Sequence, residues 1–484
     1  MPEAERPTQA IAGILDVKCP MNEIGPAALT LRLMHDASAR FRALLPRHPA
    51  QAIALGFGTA IAAGTLVLML PMAKSGPGGS GFLEALFTAT SAVCVTGLAV
   101  VDTSVFWTPF GQVTIIVLIQ LGGFGVMSFA SLLGVLMARR LGLRSRMQTA
   151  AETKTTGFGD VRAVLFGVLR ITAATELLVA TALTLRFAIG LGNPWGHSLW
   201  LGIFHSVSAF NNAGFALFSD NLVGFVGDPW ICLPIAAAII LGGLGFPVLF
   251  ELGRHYRRPL HWTMNTKLVI SGTLTLLAAG TAFICALEWA NPKVLGGLST
   301  ADKLLAGFFQ SVVSRTAGFN SVDIGAMDPA TWLGMDMLMF IGGGPAGTAG
   351  GLKITTFAVL FFIMFTEIQG GAAVNVFGKR LSRSVHRQAI TIVLLAVGLV
   401  TGSTMALMLM TDIGLDRLLF ETVSAFATVG LSTGITASLP PAGQVLLVFL
   451  MFIGRLGPVT LASALALRSR PVMYEFPKER PLIG

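Results

Sequence analysis

Long apolar runs, broken by short charged or glycine-rich stretches, set the pattern of this chain. Eight can be marked, at roughly 51–73, 112–138, 163–190, 230–252, 266–289, 333–366, 387–411 and 443–467. Each is close to the ~20 residues an α-helix needs to cross a hydrocarbon core, so the pattern predicts an all-α membrane protein with eight spans. Four of the connections hold a further apolar run too short to cross: Gly81 to Val93, Ser198 to Phe210, Ala301 to Val313 and Arg417 to Ala427. A short apolar run between two spans predicts a re-entrant helix.

The stretches that end these runs repeat: Ser91-Ala-Val-Cys-Val-Thr-Gly97-Leu, Ser208-Ala-Phe-Asn-Asn-Ala-Gly214-Phe, Val312-Val-Ser-Arg-Thr-Ala-Gly318-Phe and Ser424-Ala-Phe-Ala-Thr-Val-Gly430-Leu. One glycine recurs in each, with a phenylalanine (Phe87, Phe204, Phe308, Phe420) ten residues before it. The following spans repeat as Leu121-Gly-Gly, Leu241-Gly-Gly, Ile341-Gly-Gly and Ile453-Gly-Arg. The unit is therefore span, re-entrant pore loop, span, four times over. The expected organisation is an N-terminal tail (1–50), repeat one (51–138), repeat two (163–252), repeat three with a broken sixth span (266–366), repeat four (387–467) and a C-terminal tail (468–484). Four such units close into a pseudo-fourfold ring around a central ion pore.

Composition fits this reading and excludes a soluble enzyme: 54% of residues are apolar, 12% are charged and the mean hydropathy is +0.75. The net charge of +9 suggests nucleic acid only in a soluble protein; here the positions of the charges decide. Arg139, Arg140, Arg144 and Arg146, then Arg254, Arg257, Arg258 and Lys267, then Lys379, Arg380, Arg383 and Arg387 follow the second, fourth and sixth spans, whereas the opposite connections carry only Lys74, Lys293, Lys303, Arg315 and Arg417. The bias places both termini in the cytoplasm and assigns no nucleic-acid partner. The first 48 residues do not read as a secretory signal; an amphipathic helix is expected over Leu31 to Leu45. Cys19, Cys94, Cys232 and Cys285 lie far apart, which indicates neither a disulfide framework nor a zinc site.

A ring of backbone carbonyls suits a dehydrated alkali cation, because carbonyl oxygens replace its water shell without a fixed charge. Glycine supplies the permissive backbone, and the short helices before each glycine aim their negative C-terminal ends at the axis. Thr428-Val429-Gly430-Leu431-Ser432 comes close to the threonine-valine-glycine filter type of potassium channels. The expected filter is Val95, Thr96 and Gly97; Asn212, Ala213 and Gly214; Thr316, Ala317 and Gly318; and Thr428, Val429 and Gly430. Just beyond it, Asp102, Asp220 and Asp323 raise the local cation concentration or simply cap loops in a wet vestibule.

Through Val95-Thr-Gly97-Leu, Asn211-Asn-Ala-Gly214-Phe, Arg315-Thr-Ala-Gly318-Phe-Asn320 and Thr428-Val-Gly430-Leu-Ser, the chain from residue 51 onward resembles the membrane subunits of the Trk/Ktr/HKT superfamily of potassium transporters. Eight spans without an extra N-terminal pair resemble the Ktr type more than the ten-span Trk type. The resemblance implies potassium uptake across a bacterial cytoplasmic (inner) membrane, with potassium selected by the four glycines. It also implies a homodimer and a cytosolic, ring-forming regulatory subunit that binds nucleotides. About 17 residues follow the last span, so no nucleotide-binding domain is expected on this chain. The expected partners are then a second copy, that subunit and membrane lipid, with potassium the ion handled and no organic cofactor.

The sixth span is interrupted by Gly342-Gly-Gly-Pro-Ala-Gly-Thr-Ala-Gly-Gly351, followed by Lys353. Gly342, Gly344 and Gly347 match a dinucleotide pattern formally, but no βαβ unit surrounds them. Broken backbone at membrane depth is tolerated where it lines water or is buried in protein, which suggests a movable segment under the filter. Arg455 stands where the other repeats have Gly123, Gly243 and Gly343, and a charge inside a span is a functional hypothesis by default. The expected gate is Gly343, Gly344, Gly347, Thr348, Gly350, Lys353 and Arg455, with the arginine holding the loop and opposing cation passage; the plainer reading is an arginine that satisfies helix-end carbonyls. The resemblance supports the gating roles. Arg315, three residues before Gly318, is expected to turn behind the filter toward a carboxylate such as Glu421 or Glu84, and Glu176, mid-span in the third helix, to pair structurally, for example with Arg170, rather than to bind substrate.

Two other readings compete. A secondary transporter or a channel for another monovalent cation such as sodium also uses broken helices and repeats, but the repeats here are parallel. A membrane enzyme lacks support, since no Ser-His-Asp arrangement, His-Glu-x-x-His, paired carboxylates or Walker lysine is found.

Overall fold

The structure, a computed structural model, describes residues 49–140, 161–371 and 373–457, with side chains described from 51 to 125 and from 164 onward within those limits. The helix expected over Leu31 to Leu45, Arg144 and Arg146, and the C-terminal tail lie outside the described residues. In chain order the helices are α1 (Pro49–Leu68), α2 (Phe82–Val93), α3 (Thr103–Phe106), α4 (Pro109–Arg140), α5 (Val161–Leu185, continued by a π-helical turn to Gly190), α6 (Trp195–Phe210), α7 (Pro229–Leu244), α8 (Phe246–His255), α9 (Met264–Glu288), α10 (Thr300–Val313), α11 (Pro329–Phe340), α12 (Ile354–Ile368), α13 (Arg383–Met410), α14 (Leu415–Ala427) and α15 (Pro441–Leu456). Strands β1 (Asn375–Val376) and β2 (Lys379–Arg380) form a small antiparallel hairpin between α12 and α13.

Helix starts follow local chemistry. Pro229, Pro329 and Pro441 occupy the first turns of α7, α11 and α15, where a missing N–H costs nothing. Glu84 reaches back to the Gly81 amide at 2.9 Å and Ser299 caps α10, satisfying donors that the first turn leaves free.

Among the described residues, four stretches are long and apolar enough to cross a membrane: Gln51–Leu68, Val164–Gly190, Met264–Glu288 and Arg383–Met410. They are the first, third, fifth and seventh expected spans, and the short apolar helices α2, α6, α10 and α14 follow them in turn. Each short helix packs on the span before it: α1 with α2, α5 with α6, α9 with α10 and α13 with α14. The helix after it packs on the short helix of the next unit: α4 on α6, α7 on α10, α11 on α14, and α15 back on α2. Phe87, Phe204 and Phe420 are fully buried anchors of the short helices; in α10 Phe308 is half-buried and its neighbour Phe309 takes the buried place.

The expectation of a continuous fourth span, 230–252, is corrected. It breaks at Gly245, with α7 and α8 meeting at a 100° bend. Gly245 has φ +89 and Pro247 follows in the first turn of α8, so the ladder stops where glycine permits the turn and proline removes a donor. The sixth span is interrupted as expected: α11 ends at Phe340 and α12 begins at Ile354. The two breaks satisfy each other. The carbonyls of Gly242 and Gly243, freed at the end of α7, accept from the amides of Thr348 (3.1 Å) and Gly344 (2.7 Å), and Phe246 N–H donates to Ala346 O at 3.3 Å. Irregular backbone at membrane depth is thereby buried against protein, the condition under which it is tolerated.

Candidate functional site

Helices α2, α6, α10 and α14 end at Val93, Phe210, Val313 and Ala427, and the four segments expected as filter begin directly behind them. At one offset, two residues before each glycine, Val95 (φ +56), Asn212 (φ +59), Thr316 (φ +71) and Thr428 (φ +50) all take the left-handed conformation, and Gly97, Gly214, Gly318 and Gly430 are again at positive φ. A non-glycine residue held there costs ~1–3 kcal/mol and persists where the surroundings over-determine it. Four occurrences at one register position mark a shared backbone shape.

The four glycines meet in a closed cycle. A Cβ placed on Gly97 falls 3.1 Å from the Gly214 α-carbon, on Gly214 2.7 Å from that of Gly318, on Gly318 3.1 Å from that of Gly430, and on Gly430 3.0 Å from that of Gly97. Each also points at the carbonyl oxygen before the next glycine: Ala213, Ala317, Val429 and Thr96 in turn. Any side chain would push into its neighbour's backbone, so glycine is required by the approach as well as by φ.

The preceding residues hold this shape. Ser91 and Ser424, six residues before their glycines, accept from Gly97 N–H (3.0 Å) and Gly430 N–H (3.1 Å) through their hydroxyls, and Ser208 Oγ donates to Phe215 O at 2.8 Å. Glu421, fully buried on α14, accepts from Ser432 Oγ, Thr433 N–H (3.2 Å) and Thr436 Oγ1 (3.0 Å), tying the segment after Gly430 back to its helix. The first glycine of each repeated Leu/Ile-Gly motif explains itself: a Cβ on Gly122, Gly242 or Gly454 would overlap the carbonyl of Val93, Phe210 or Phe426, the last turn of a short helix. In unit three Gly342 instead lies against Gly350 O and Leu352 O.

Above the glycine cycle lies a cavity of about 570 Å³ lined by Gly97, Gly214, Asn320, Asp102, Asp220 and Asp323, among others. The aspartates line this cavity, and each caps a turn, Asp102 on Ser104 N–H (2.8 Å), Asp220 on Gly224 N–H (3.1 Å) and Asp323 on Gly325 N–H (2.9 Å). Partial burial pushes the Asp102 carboxyl up, but hydrogen bonds from Ser104 and Ser219 outweigh it and leave the group below its ordinary value.

Beneath the cycle sits the loop 341–353. Thr348 Oγ1 donates to Asn212 Oδ1 at 3.0 Å. A Cβ on Gly350 would strike Thr428 Oγ1 and one on Gly343 would strike Gly243 O. Gly347 packs 3.0 Å from Gly245 N by the same measure. Lys353 Nζ folds onto the loop's own carbonyls, Ala349 O (2.6 Å) and Gly350 O (3.4 Å). Arg455, 5% exposed, donates through Nη1 to Thr348 O and through Nη2 to Gly122 O at 3.1 Å.

Two sequence expectations are corrected here. Arg315 meets neither Glu421 nor Glu84: its Nη2 donates to Gly342 O at 3.2 Å, at the start of the loop, while Glu421 is occupied by Ser432, Thr433 and Thr436 and Glu84 by Gly81. A chain carbonyl at a broken helix end needs a donor, and that need wins over the distant carboxylates. Glu176 does not pair with Arg170; it accepts from Gln120 Nε2 (3.4 Å) and Asn211 Nδ2 (3.2 Å). Sequence reasoning missed this cluster, although Asn211 next to Asn212 was a polar pair in an apolar setting. The serine six residues before three of the four glycines was also readable in the repeats.

Comparison with known proteins bears on this geometry. A profile of the TrkH family, described as cation transport protein, matches residues 57–471. The chain is 40% identical over 418 residues to the Ktr system potassium uptake protein B of Bacillus subtilis, covering 86% of this chain and 93% of that protein. It is 37% identical to the protein of the same name from Vibrio alginolyticus, covering 89% and 94%. The crystal structure of the potassium transporter TrkH from Vibrio parahaemolyticus superposes with a TM-score of 0.69 at 17% identity, covering 87% of this chain and 86% of that one.

Proposed function

Since the chain belongs to the TrkH family of cation transport proteins, a family of membrane transporters rather than enzymes, we propose that it takes up potassium across a bacterial cytoplasmic membrane through the cycle formed by Gly97, Gly214, Gly318 and Gly430. The closed cycle of four glycines, each preceded by a left-handed residue, is the observation that carries this reading. The names of the Ktr relatives supply potassium as the ion.

In this account a hydrated cation collects in the 570 Å³ cavity, where Asp102, Asp220 and Asp323 lower its energy before it loses water. Backbone oxygens of residues 95–97, 212–214, 316–318 and 428–430 then take the place of that water. Helices α2, α6, α10 and α14 end three to five residues before the glycines that meet in the cycle, and the partial negative charge of those ends favours a cation. The loop 342–351 stands beneath as a gate. Arg455 holds it from α15, and the charges of Arg455 and Lys353 oppose cation passage until the loop moves. In the same reading the basic connections and both termini face the cytoplasm, and a second copy and a cytosolic nucleotide-binding regulatory subunit complete the assembly by family resemblance.

Purified chain in liposomes tests the proposal: potassium uptake that rubidium competes strongly, and sodium and lithium weakly, is the expected result. Sodium flux without potassium preference, with or without the regulatory partner, contradicts it.

A further inference from the structure

We infer that Glu176 and Gln120 are positioning residues for the second filter segment, acting through Asn211 to set the selectivity of the pore; the inference rests on the filter reading above. The four register positions three residues before the filter glycines are held by Cys94, Asn211, Arg315 and Ala427. Three of them are braced differently. Ala427 lies against Gly351 of the loop, and Arg315 donates to Gly342 O. Asn211 instead turns outward to two neighbouring spans. Its Nδ2 donates to Gln120 Oε1 on α4 (2.8 Å), to Glu176 Oε1 on α5 (3.2 Å) and to Val207 O (2.9 Å), and Gln120 Nε2 donates to Glu176 Oε2 at 3.4 Å. Ser206 Oγ of α6 also donates to the main-chain carbonyl of Glu176.

The chemistry of this cluster points to function. A carboxylate within a span is costly and marks a functional place by default, and here it is half-buried with only amide partners. Asn211 is the last residue before left-handed Asn212, whose own side chain carries the bond from Thr348. Asn211 is 1% exposed and its Oδ1 has no hydrogen-bond partner while it abuts Gly123. Among the described residues the Asn211 side chain is therefore fixed by the side chains of Glu176 and Gln120 alone, and it transmits their positions to the backbone that must stay left-handed. Loss of this brace relaxes the strained segment and lets its carbonyls adjust to a smaller ion.

The experiment is competition flux in liposomes for wild type, E176A, N211A, E176Q and the E176A/N211A pair, with monodispersity checked for each. E176A and N211A are each expected to lower the potassium-to-sodium ratio by about tenfold, ~1.4 kcal/mol. The double variant should fall no further, and E176Q, which retains the shape and an acceptor for Asn211, should recover most of the ratio. A well-folded E176A with the wild-type ratio, or losses that multiply in the double variant, overturns the inference. Should E176A not fold, N211A against E176Q decides in the same way. Wild type without potassium preference fails the filter reading itself, whereas preference in wild type and in all variants fails only this inference.

Discussion

The guanidinium of Arg455 donates to the carbonyl of Thr348, at the centre of the loop that interrupts the sixth span. Its other terminal nitrogen holds Gly122 O on α4. One side chain of the last described helix thus joins the loop to the first unit, and Thr348 in turn joins Arg455 to Asn212.

Replacing Arg455 with glutamine should free the loop. A hydrogen bond from a charged donor is worth ~1.5–3 kcal/mol, so removal of two should shift the closed-to-open balance by about a hundredfold or more. Potassium flux in liposomes is expected to rise; unchanged flux and unchanged control contradict the gate.

The loop fits under the glycine cycle through contacts that leave no room for a methyl group. Gly350→Ala would place its Cβ on Thr428 Oγ1, so the variant should displace the loop and raise basal flux several-fold without loss of ion preference. Reduced flux with unchanged preference counts against an obstructing loop.

Gly430 faces the Thr96 carbonyl at φ +96. Gly430→Ala is strained in φ and in space, and the distorted ring should lose potassium preference. Competition by sodium is the readout, with the expected ratio falling by about tenfold or more for a left-handed position worth ~1–3 kcal/mol. A normal ratio in folded protein contradicts a glycine-lined filter.

Asp102 is held below its ordinary carboxylate range by Ser104 and Ser219 against the opposing effect of partial burial. A depressed value keeps the group ionised as pH falls toward the range where a free aspartate titrates, so its pull on cations and its share of stability are complete above that range and are lost only below it. Uptake at low potassium should therefore be insensitive to acidification at Asp102 across mildly acidic pH. Asp102→Asn should lower uptake about two- to threefold at low ionic strength, and the deficit should vanish at high salt. A deficit independent of salt points to the turn that Asp102 caps rather than to its field.

Much of this was legible in the sequence because the unit recurs. The short helices ending at Val93, Phe210, Val313 and Ala427 and the four glycines at one offset were visible as repeats, as was the break at Gly342 to Gly351. The bend at Gly245 was hidden because Leu241 to Phe250 reads as a continuous apolar run, and only the facing loop, with its amides of Gly344 and Thr348, shows what the broken ladder gains. Partners of buried polar groups were least legible. Arg315 finds a carbonyl of its own unit, and Glu176 finds one amide on its own unit and one on the first, contacts set by the packing of helices that no spacing along the chain encodes.

The most direct test is a structure determined in rubidium, with its anomalous signal recorded. The account predicts rubidium density on the axis of the cycle formed by Gly97, Gly214, Gly318 and Gly430, coordinated by backbone oxygens, and absent when sodium replaces it. An empty cycle in rubidium, or an ion held elsewhere in the protein by side-chain carboxylates, would contradict it.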